Sequence, residues 1–415
     1  MIRIGIVGCG RILAAHLRGY RLLRAAGIDD FRITALCARR EADARMYVER
    51  GTCPQRAAVS HLAGDPLAIG DEYLSDFQDD VEVALYTDYR QMIAEAPLDA
   101  VNDFTTHALH HQVAEVAFAH GKHLLTQKPL AVTVAAARQM CDAARKHGCV
   151  LGVFENFRHA PATRRLRWLF GPVGPAGPVQ MVLLTYAGMW WAPDHIVAET
   201  PWRHRLIEGG GISLDLGVHF FDQIRHVAGE IESVQAQTAI IEPTRTTRDA
   251  HNRVVDRVTC DADDTFTASF RTEQGALGHM CASWAGHGGA ATLGPGTIYY
   301  GARGQAPGDQ VRLDDGTQGS LADLHTAAVA AEEQRLLFPH GLDDSFALSQ
   351  LDWLAAIRQQ RDPETSGEEG LRDLAAAYAI LESAQAGRRI AVADVAGGVV
   401  REYQRPIDEH FGIRD

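Results

Sequence analysis

Two separate stretches of this 415-residue chain carry side chains suited to proton transfer. In the first, Lys128 and Pro129 follow a short apolar segment that predicts a strand. Ligands of open α/β sheets bind at the carboxyl ends of strands, so a lysine there could hydrogen-bond and polarise a substrate hydroxyl. A surface lysine at the exit of a strand is the alternative, and on its own it is the more common case.

The second stretch begins with three glycines and continues as a helical pattern that contains Asp215 and His219. Residues four apart share one face of a helix, and Asp222 continues that face. A carboxylate beside an imidazole in apolar surroundings is typical of a general acid/base pair. A buried histidine satisfied by a neighbouring aspartate is the alternative. A metal site is not predicted, because the pair lacks a clustered third ligand.

A cofactor for such chemistry is indicated at the start of the chain. A short apolar strand leads into Gly8 and Gly10, and a helical pattern follows at once. Glycines at these positions let the backbone approach a pyrophosphate, whose charge the helix N-terminus stabilises. The third position of this fingerprint is Leu13 rather than Gly or Ala. The pattern predicts a dinucleotide site, and an ordinary glycine-rich turn is the alternative.

The end of the second predicted strand distinguishes between two dinucleotides. An acidic residue there binds the ribose 2′-hydroxyl of NAD, whereas an arginine accommodates the 2′-phosphate of NADP. The sequence at this point is Ala38-Arg39-Arg40, with no acid. Because guanidinium groups pair well with phosphate, NADP is favoured over NAD. The alternative is that both arginines are solvated and NAD binds.

Strand and helix patterns alternate over residues 1–155, which predicts a Rossmann-type α/β domain with a doubly wound parallel sheet. The predicted strands are 3–7, 33–37, 81–85, 100–104, 123–125 and 150–154, and the predicted helices are 12–26, 40–49, 89–95, 110–119 and 134–147. Residues 51–80 interrupt this rhythm with several prolines and glycines, and we interpret them as a surface insertion.

Residues 156–415 show a different pattern, in which strands follow one another with few helices between them. This predicts a second, α+β domain on a mainly antiparallel open sheet. Its predicted strands are 179–186, 232–241, 265–271, 276–284 and 296–300, and its predicted helices are 211–227, 345–359 and 368–387. We expect the helices to cover one face of the sheet and the other face to join subunits of a homo-oligomer, a dimer or tetramer.

Composition narrows the possible partners and the compartment. The net charge of −13 and the absence of a long basic stretch argue against nucleic acid. No apolar run approaches the roughly 20 residues that a membrane span needs. Seven scattered cysteines without a C-x-x-C pair favour free thiols in a reducing compartment, so we expect a cytoplasmic protein.

Together these motifs resemble the Gfo/Idh/MocA oxidoreductases, the family of glucose-fructose oxidoreductase and inositol dehydrogenase. The resemblance covers essentially the whole chain and rests on the glycine turn and four further stretches, which are 105–110, 121–129, 210–222 and 363–388. It implies hydride transfer between NAD(P) and a hydroxyl of a sugar, polyol or glycoside. Lys128 would bind and polarise that hydroxyl, His219 would take or return its proton, and Asp215 would bind the substrate and tune His219.

The resemblance also implies the residues that contact cofactor and substrate. The implied cofactor contacts are Gly8, Gly10, Arg11, Ile12, Ala38, Arg39, Arg40, Thr105, His110, Gln127 and Lys128. The expected substrate contacts are Lys128, Asn156, Arg158, Trp202, Arg203, Asp215 and His219.

Two pairs of these substrate contacts rest on their place in the sequence. Asn156 and Arg158 follow the last strand of the first domain, where a structural role at the domain junction is equally expected. Trp202 and Arg203, with the aromatic stretch 189–195, would suit a carbohydrate, because aromatic faces pack against sugar C–H groups. A loop packed by its own tryptophans is the alternative.

The chain departs from the family pattern at two positions. Gln127 replaces the glutamate of the family's E-K-P, which removes a possible charge partner of Lys128. Thr106 replaces the proline of its T-P stretch, which removes a rigid turn near the nicotinamide.

Two other functions stay open. The protein could retain and recycle its cofactor, as a redox-assisted glycosidase or sugar–sugar oxidoreductase does, or be a non-catalytic nucleotide sensor.

Overall fold

The computed structural model describes residues 1–54, 56, 59–60, 65–70, 72–187, 194–286 and 296–414. The chain divides into two compact units, and neither is continuous in sequence. The first unit comprises Met1–Val132, Ala136–His159 and Phe338–Leu371, and the second comprises Thr133–Ala135, Ala160–Leu337 and Arg372–Asp415.

A six-stranded sheet forms the centre of the first unit. Its strands are β1 (Ile2–Val7), β2 (Phe31–Cys37), β3 (Ala84–Tyr86), β4 (Ala100–Asp103), β5 (His123–Gln127) and β6 (Leu151–Phe154). All neighbours pair in parallel, in the order β3-β2-β1-β4-β5-β6. The strand order reverses between β1 and β4, and ligands bind at the carboxyl edge of such a switch point.

The second unit contains a nine-stranded sheet and a separate hairpin. Its strands are β7 (Val179–Ala187), β8 (Ile231–Ala239), β9 (Thr244–Arg248), β10 (Val254–Thr259), β11 (Thr265–Thr272), β12 (Leu277–Ser283), β13 (Thr297–Gly301), β14 (Gly304–Pro307), β15 (Gln310–Leu313), β16 (Gln318–Ser320) and β17 (Ile390–Ala391). The sheet order is β16-β15-β14-β13-β7-β12-β11-β8-β17, and β9 pairs with β10. Every pair is antiparallel except β7 with β12. The predicted fold class is therefore confirmed.

The described helices include those that the sequence pattern predicts, one of them shortened and one divided, and several short helices that it does not predict. They are α1 (Leu13–Ala25), α2 (Glu41–Arg45), α3 (Tyr89–Glu95), α4 (His110–Ala119), α5 (Val134–His147), α6 (Asn156–His159), α7 (Pro161–Leu169), α8 (Ile212–Asp215), α9 (Gly217–Ala228), α10 (Leu321–Ala328), α11 (Ala331–Leu337), α12 (Ser345–Gln359), α13 (Gly367–Ala386), α14 (Val392–Ala396) and α15 (Arg405–Phe411). The continuous helix expected over 211–227 is wrong, because it divides into α8 and α9 at Leu216.

Helix α12 belongs to the first unit, whereas we expected it to cover the second sheet. Its Phe346 and Trp353 are buried in the same core as the first-unit strands, and the Trp353 indole N–H donates to the Leu124 carbonyl at 3.2 Å. Asp344 caps its N-terminus and forms an ion pair with Arg18 of α1 at 2.8 Å. Apolar periodicity predicted this helix, but it carries no information about which sheet the apolar side would contact.

Within the described ranges, no helix is both long enough and apolar enough to cross a membrane.

Candidate active site

The glycine turn between β1 and α1 has the geometry that a bound pyrophosphate needs. Gly8 has a φ of +98°, and a Cβ there would lie 2.5 Å from the Phe104 carbonyl oxygen. A Cβ at Gly10 would instead meet no atom within 4 Å, so that side of the turn is open. Leu13 occupies the fingerprint's third position and is fully buried. Since that position normally serves packing of the helix on the sheet, a core leucine explains the imperfect match.

The start of α1 suits an anion. Ile12, at its N-cap, provides no side-chain cap, and the first turn contains no acidic residue. The helix runs for 13 residues, so its N-terminal dipole and N–H groups favour a negative charge beside the glycine turn. These features fit the pyrophosphate of a dinucleotide.

The residues after β2 lie at the same carboxyl edge. Ala38 is buried, and its N–H donates to the Tyr86 carbonyl at 3.1 Å. Arg39 is exposed. Arg40 is also exposed and forms a two-point ion pair with Asp43, at 2.9 and 3.0 Å. The first described acid after this strand, Glu41, pairs with Arg45.

The turn after β4 is held by a side chain rather than by the proline expected from the family pattern. Both the N–H and the hydroxyl of Thr105 donate to Oδ1 of Asp103, at 3.0 and 2.7 Å. The other carboxylate oxygen of Asp103 accepts from the Thr126 hydroxyl at 3.2 Å. An aspartate that binds the backbone two residues on fixes a turn locally. Thr106 in place of proline therefore leaves the turn defined.

Gln127, at the end of β5, has a partner that explains its neutral side chain. Its amide nitrogen lies 2.7 Å from Nε2 of His16. His16 is fully buried and stacks on Phe104, with ring centroids 3.6 Å apart. Burial holds the pKa of His16 well below its ordinary value, so the imidazole is neutral and its Nε2 can accept the amide N–H.

Lys128 follows in a segment that is fixed on both sides. The Lys128–Pro129 peptide bond is cis. The Pro129 carbonyl lies 2.9 Å from Nδ1 of His110, which is fully buried. His110, expected to contact the cofactor, thus contacts the chain next to Lys128. The lysine itself is half-buried at the carboxyl edge of the sheet, as a substrate-binding role requires.

Asn156 and Arg158, on the short helix α6, have different environments. Asn156 is half-buried. Arg158 is buried, and its guanidinium donates to the Glu364 carbonyl at 3.0 Å and to the Glu369 carboxylate at 2.9 Å. A buried cation that already has a carboxylate partner favours the structural role for Arg158.

In the second unit, two glycines allow neighbouring chain segments to approach the start of α8. A Cβ at Gly210 would lie 2.6 Å from the Arg203 carbonyl oxygen. A Cβ at Gly211, where φ is +106°, would lie 2.1 Å from Oδ1 of Asp263. The other oxygen of Asp263 accepts from the N–H and the hydroxyl of Ser213, at 3.1 and 2.7 Å. Full burial raises the pKa of Asp263 to about 7.

Asp215 has a partner that the sequence pattern did not predict. Its carboxylate accepts from Nε of Arg203 at 3.0 Å, and both side chains are largely buried. The guanidinium of Arg203 also lies over the Trp202 ring, 4.4 Å from its centroid, and donates to the Thr200 hydroxyl at 2.5 Å. Trp202 and Arg203 are therefore joined to Asp215 in one cluster.

His219 lies on α9 and is 6% exposed. The boundary between α8 and α9 at Leu216 lies between it and Asp215, but Leu216 keeps right-handed helical φ and ψ and accepts from the Phe220 N–H at 3.0 Å, so the shared helix face stays a prediction. Asp222, one turn further on, is fully buried. Residues 188–193, most of the predicted aromatic stretch, lie outside the described residues. Among those described, no group of three or more His, Cys, Asp or Glu side chains could hold a metal ion.

Sequence comparisons agree with this architecture. The model of the oxidoreductase family with an NAD-binding Rossmann fold matches residues 2–155, and that of the GFO/IDH/MocA C-terminal domain matches residues 174–306. The chain belongs to the Gfo/Idh/MocA oxidoreductase family. The resemblance seen in the motifs is thereby confirmed, as is the expectation of an oxidoreductase.

Named relatives of this Gfo/Idh/MocA protein are distant. It is 27% identical over 305 residues to 1,5-anhydro-D-fructose reductase of Ensifer adhaerens, covering 73% of this chain and 82% of the relative. It is 27% identical over 413 residues to D-apiose dehydrogenase of Paraburkholderia graminis, covering 95% and 94%. The structure of levoglucosan dehydrogenase with NADH and L-sorbose superposes with a TM-score of 0.71 at 20% identity, covering 94% of this chain and 98% of that one.

Proposed function

We propose that this protein is an NAD(P)-dependent dehydrogenase that transfers a hydride between a secondary hydroxyl of a sugar, polyol or glycoside and the nicotinamide, with NADP preferred. The position of Lys128 carries the proposal. It lies at the carboxyl edge of β5, in the same unit and at the same sheet edge as the glycine turn, in a segment held by His16 and His110. Relatives named for dehydrogenation of apiose, xylose and levoglucosan support the substrate class.

In the first unit, Lys128 donates a hydrogen bond from its ammonium group to the reacting hydroxyl, which makes the hydroxyl more acidic. Gly8, Gly10 and the N-terminus of α1 bind the pyrophosphate of the cofactor. When bound, the nicotinamide accepts or supplies the hydride. Gln127 and His110 keep the lysine segment in one conformation, so its orientation need not be fixed by the substrate.

In the second unit, His219 takes or returns the proton of the hydroxyl, and Asp215 hydrogen-bonds the substrate and tunes His219. The Arg203–Asp215 ion pair supports this role, because it holds the carboxylate in one orientation. Trp202, against which Arg203 stacks, offers a ring face for the sugar.

Two exposed arginines support the choice of NADP. Arg39 and Arg40 follow β2 directly, and no acid stands at the strand end to accept a ribose 2′-hydroxyl. Arg39→Asp should raise the Michaelis constant for NADP far more than that for NAD. Equal effects on both constants would contradict the assignment.

The second sheet supports a homo-oligomer. Met181 and Leu277 pair directly across β7 and β12, and they are 38% and 60% exposed. Exposed apolar side chains that adjoin in this way favour a contact between copies. Leu277→Lys should lower the mass measured by light scattering, while an unchanged mass would place the contact elsewhere. The seven cysteines are free thiols, which suits the reducing, cytoplasmic location we propose.

A panel of sugars, polyols and glycosides tests the reaction itself. The purified protein is mixed with each compound and with NADP or NAD, and reduced nicotinamide is followed by its absorbance. We expect turnover with a subset that shares one hydroxyl configuration, and faster turnover with NADP. A protein that carries nucleotide through gel filtration and reduces no added cofactor would instead indicate a cofactor-retaining enzyme.

A further inference from the structure

The segment 51–80, interpreted from the sequence as a surface insertion, brings one arginine to the dinucleotide turn. Nη1 of Arg56 donates to the carbonyl of Cys9, the residue between the two glycines, at 3.2 Å. Nη2 of the same guanidinium donates to Oδ1 of Asp43 at 2.8 Å. The side chain of Arg56 is 28% exposed, so it contacts the turn and also reaches solvent.

Asp43 joins Arg56 to the arginines after β2. Its two oxygens accept from Arg40 at 2.9 and 3.0 Å, and one of them also accepts from Arg56. Arg39 precedes Arg40 and is exposed. Two guanidinium groups thus share a single carboxylate, which leaves a net positive charge beside the carboxyl end of β2, and the exposed Arg39 follows that strand directly.

The contacts of Arg56 leave it able to bind a ligand. A guanidinium has five N–H groups, and the contacts to Cys9 and Asp43 occupy one on each terminal nitrogen. The ion pair with Asp43 fixes the plane of the group, so little further side-chain entropy is lost when an anion binds. The Tyr47 hydroxyl, which donates to the Gly10 carbonyl at 2.7 Å, ties the residues that follow α2 to the same turn.

We infer that Arg56 belongs to the dinucleotide site and recognises the 2′-phosphate of NADP together with Arg39 and Arg40. The inference rests on the proposed preference for NADP and assigns a specificity role to the inserted segment. In dinucleotide folds the end of the second strand meets the adenosine ribose, and an arginine nearby accommodates the phosphate. Arg56 reaches that place from outside the strand–helix repeat, by its contacts with Cys9 and Asp43.

Equilibrium binding of NADPH and NADH to the substrate-free protein tests this role without turnover. Quenching of tryptophan fluorescence gives the dissociation constants of the wild type, Arg56→Gln and Arg56→Lys. We expect Arg56→Gln to weaken NADPH binding about tenfold and NADH binding less than twofold, because only NADPH carries the 2′-phosphate. Arg56→Lys keeps the positive charge, so its affinity for NADPH should fall less than that of Arg56→Gln. Arg50→Gln is the matched control, since Arg50 pairs with Asp76 and stacks on Tyr73.

The outcomes separate this inference from the choice of cofactor. If the wild type binds NADH more tightly than NADPH, the NADP proposal is refuted and the role of Arg56 with it. If the wild type prefers NADPH and Arg39→Asp abolishes that preference while Arg56→Gln does not, only the inference about Arg56 fails. Equal weakening of both nucleotides by Arg56→Gln would also overturn it, because the arginine would then merely support the glycine turn.

Discussion

The two units hold their site residues by different means. In the first unit, Gly8, Thr105 and Lys128 follow strands of one parallel sheet, so the topology alone places them at a common edge. In the second unit, Asp215 is held by Arg203, and the start of its helix by Asp263, through contacts that depend on glycines without a Cβ. The order of strands and helices along the chain determines where a site at strand ends forms. A site on a helix that loops support is determined instead by specific contacts between side chains.

The largest effects should come from the proton-transfer groups, one from each unit. Lys128→Ala and His219→Ala should each lower kcat by about 10²- to 10⁴-fold, the range of general acid–base contributions. The dissociation constant for NADPH should change less than about threefold, because neither role concerns the pyrophosphate site. Steady-state kinetics and fluorescence titration measure the two quantities.

Lys146→Ala is the matched control, since Lys146 is exposed on α5. A variant of Lys128 or His219 that turned over like the wild type would refute the role given to that residue.

Two glycine substitutions, one in each unit, should affect different properties, which are stability in the second unit and cofactor affinity in the first. Gly211→Ala would place a Cβ 2.1 Å from Asp263 at a φ of +106°, so we expect about 2 kcal/mol or more of lost unfolding free energy. Gly10→Ala would place its Cβ where no protein atom lies within 4 Å, so the stability should change by less than about 0.5 kcal/mol. Its cofactor affinity should fall, because the methyl occupies space that the pyrophosphate needs.

Urea unfolding and nucleotide titration of both variants provide the test. If Gly10→Ala bound NADPH and NADH as the wild type does, the open side of the turn would not be the pyrophosphate site.

The contrast between the two units also explains which features of the fold and of the site could be predicted from the sequence. The strands that lead to Gly8 and Lys128 and the helices Tyr89–Glu95, His110–Ala119 and Val134–His147 follow from periodicity, which is local. The break at Leu216 and the pairing of Asp215 with Arg203 could not be read in this way. The pairing depends on where the segment that carries Arg203 packs.

Arg56 shows the same limit in the first unit. Within the segment 51–80 no periodic pattern distinguishes it from other solvated arginines. Only the contacts with Cys9 and Asp43 bring it to the glycine turn.

The buried carboxyl of Asp263 should make the second unit sensitive to pH. Its pKa is raised from 3.8 to about 7, so the folded state binds a proton that the unfolded state has released between about pH 4 and pH 7. Its contribution to stability is present below pH 4 and is lost as the pH rises through 7. Asp263→Asn mimics the protonated carboxyl and should remove this loss. At pH 8 we expect its free energy of unfolding to be about 1 to 3 kcal/mol higher than that of the wild type.

Urea unfolding of both proteins from pH 4 to pH 8 measures the difference. A difference that stayed constant with pH would mean that Asp263 does not titrate in this window. Ser213→Ala removes a hydrogen bond that lowers the pKa of this carboxyl, so it should extend the loss of stability to higher pH.

The smallest effect should come from restoring the family's acid beside the lysine. In Gln127→Glu, a carboxylate replaces an amide that lies 2.7 Å from the neutral His16. The new carboxylate places a negative charge next to the ammonium group of Lys128, so the high-pH limb of the pH–rate profile should move up by about 0.5 to 1 pH unit. His16 can donate to the new carboxylate after its ring proton moves to Nε2, so the fold should persist. The profile of kcat from pH 6 to pH 11, with Gln112→Glu on α4 as a charge control, measures the shift. If the two variants shifted it equally, Gln127 would act only through overall charge, and the first unit would position Lys128 by backbone geometry alone.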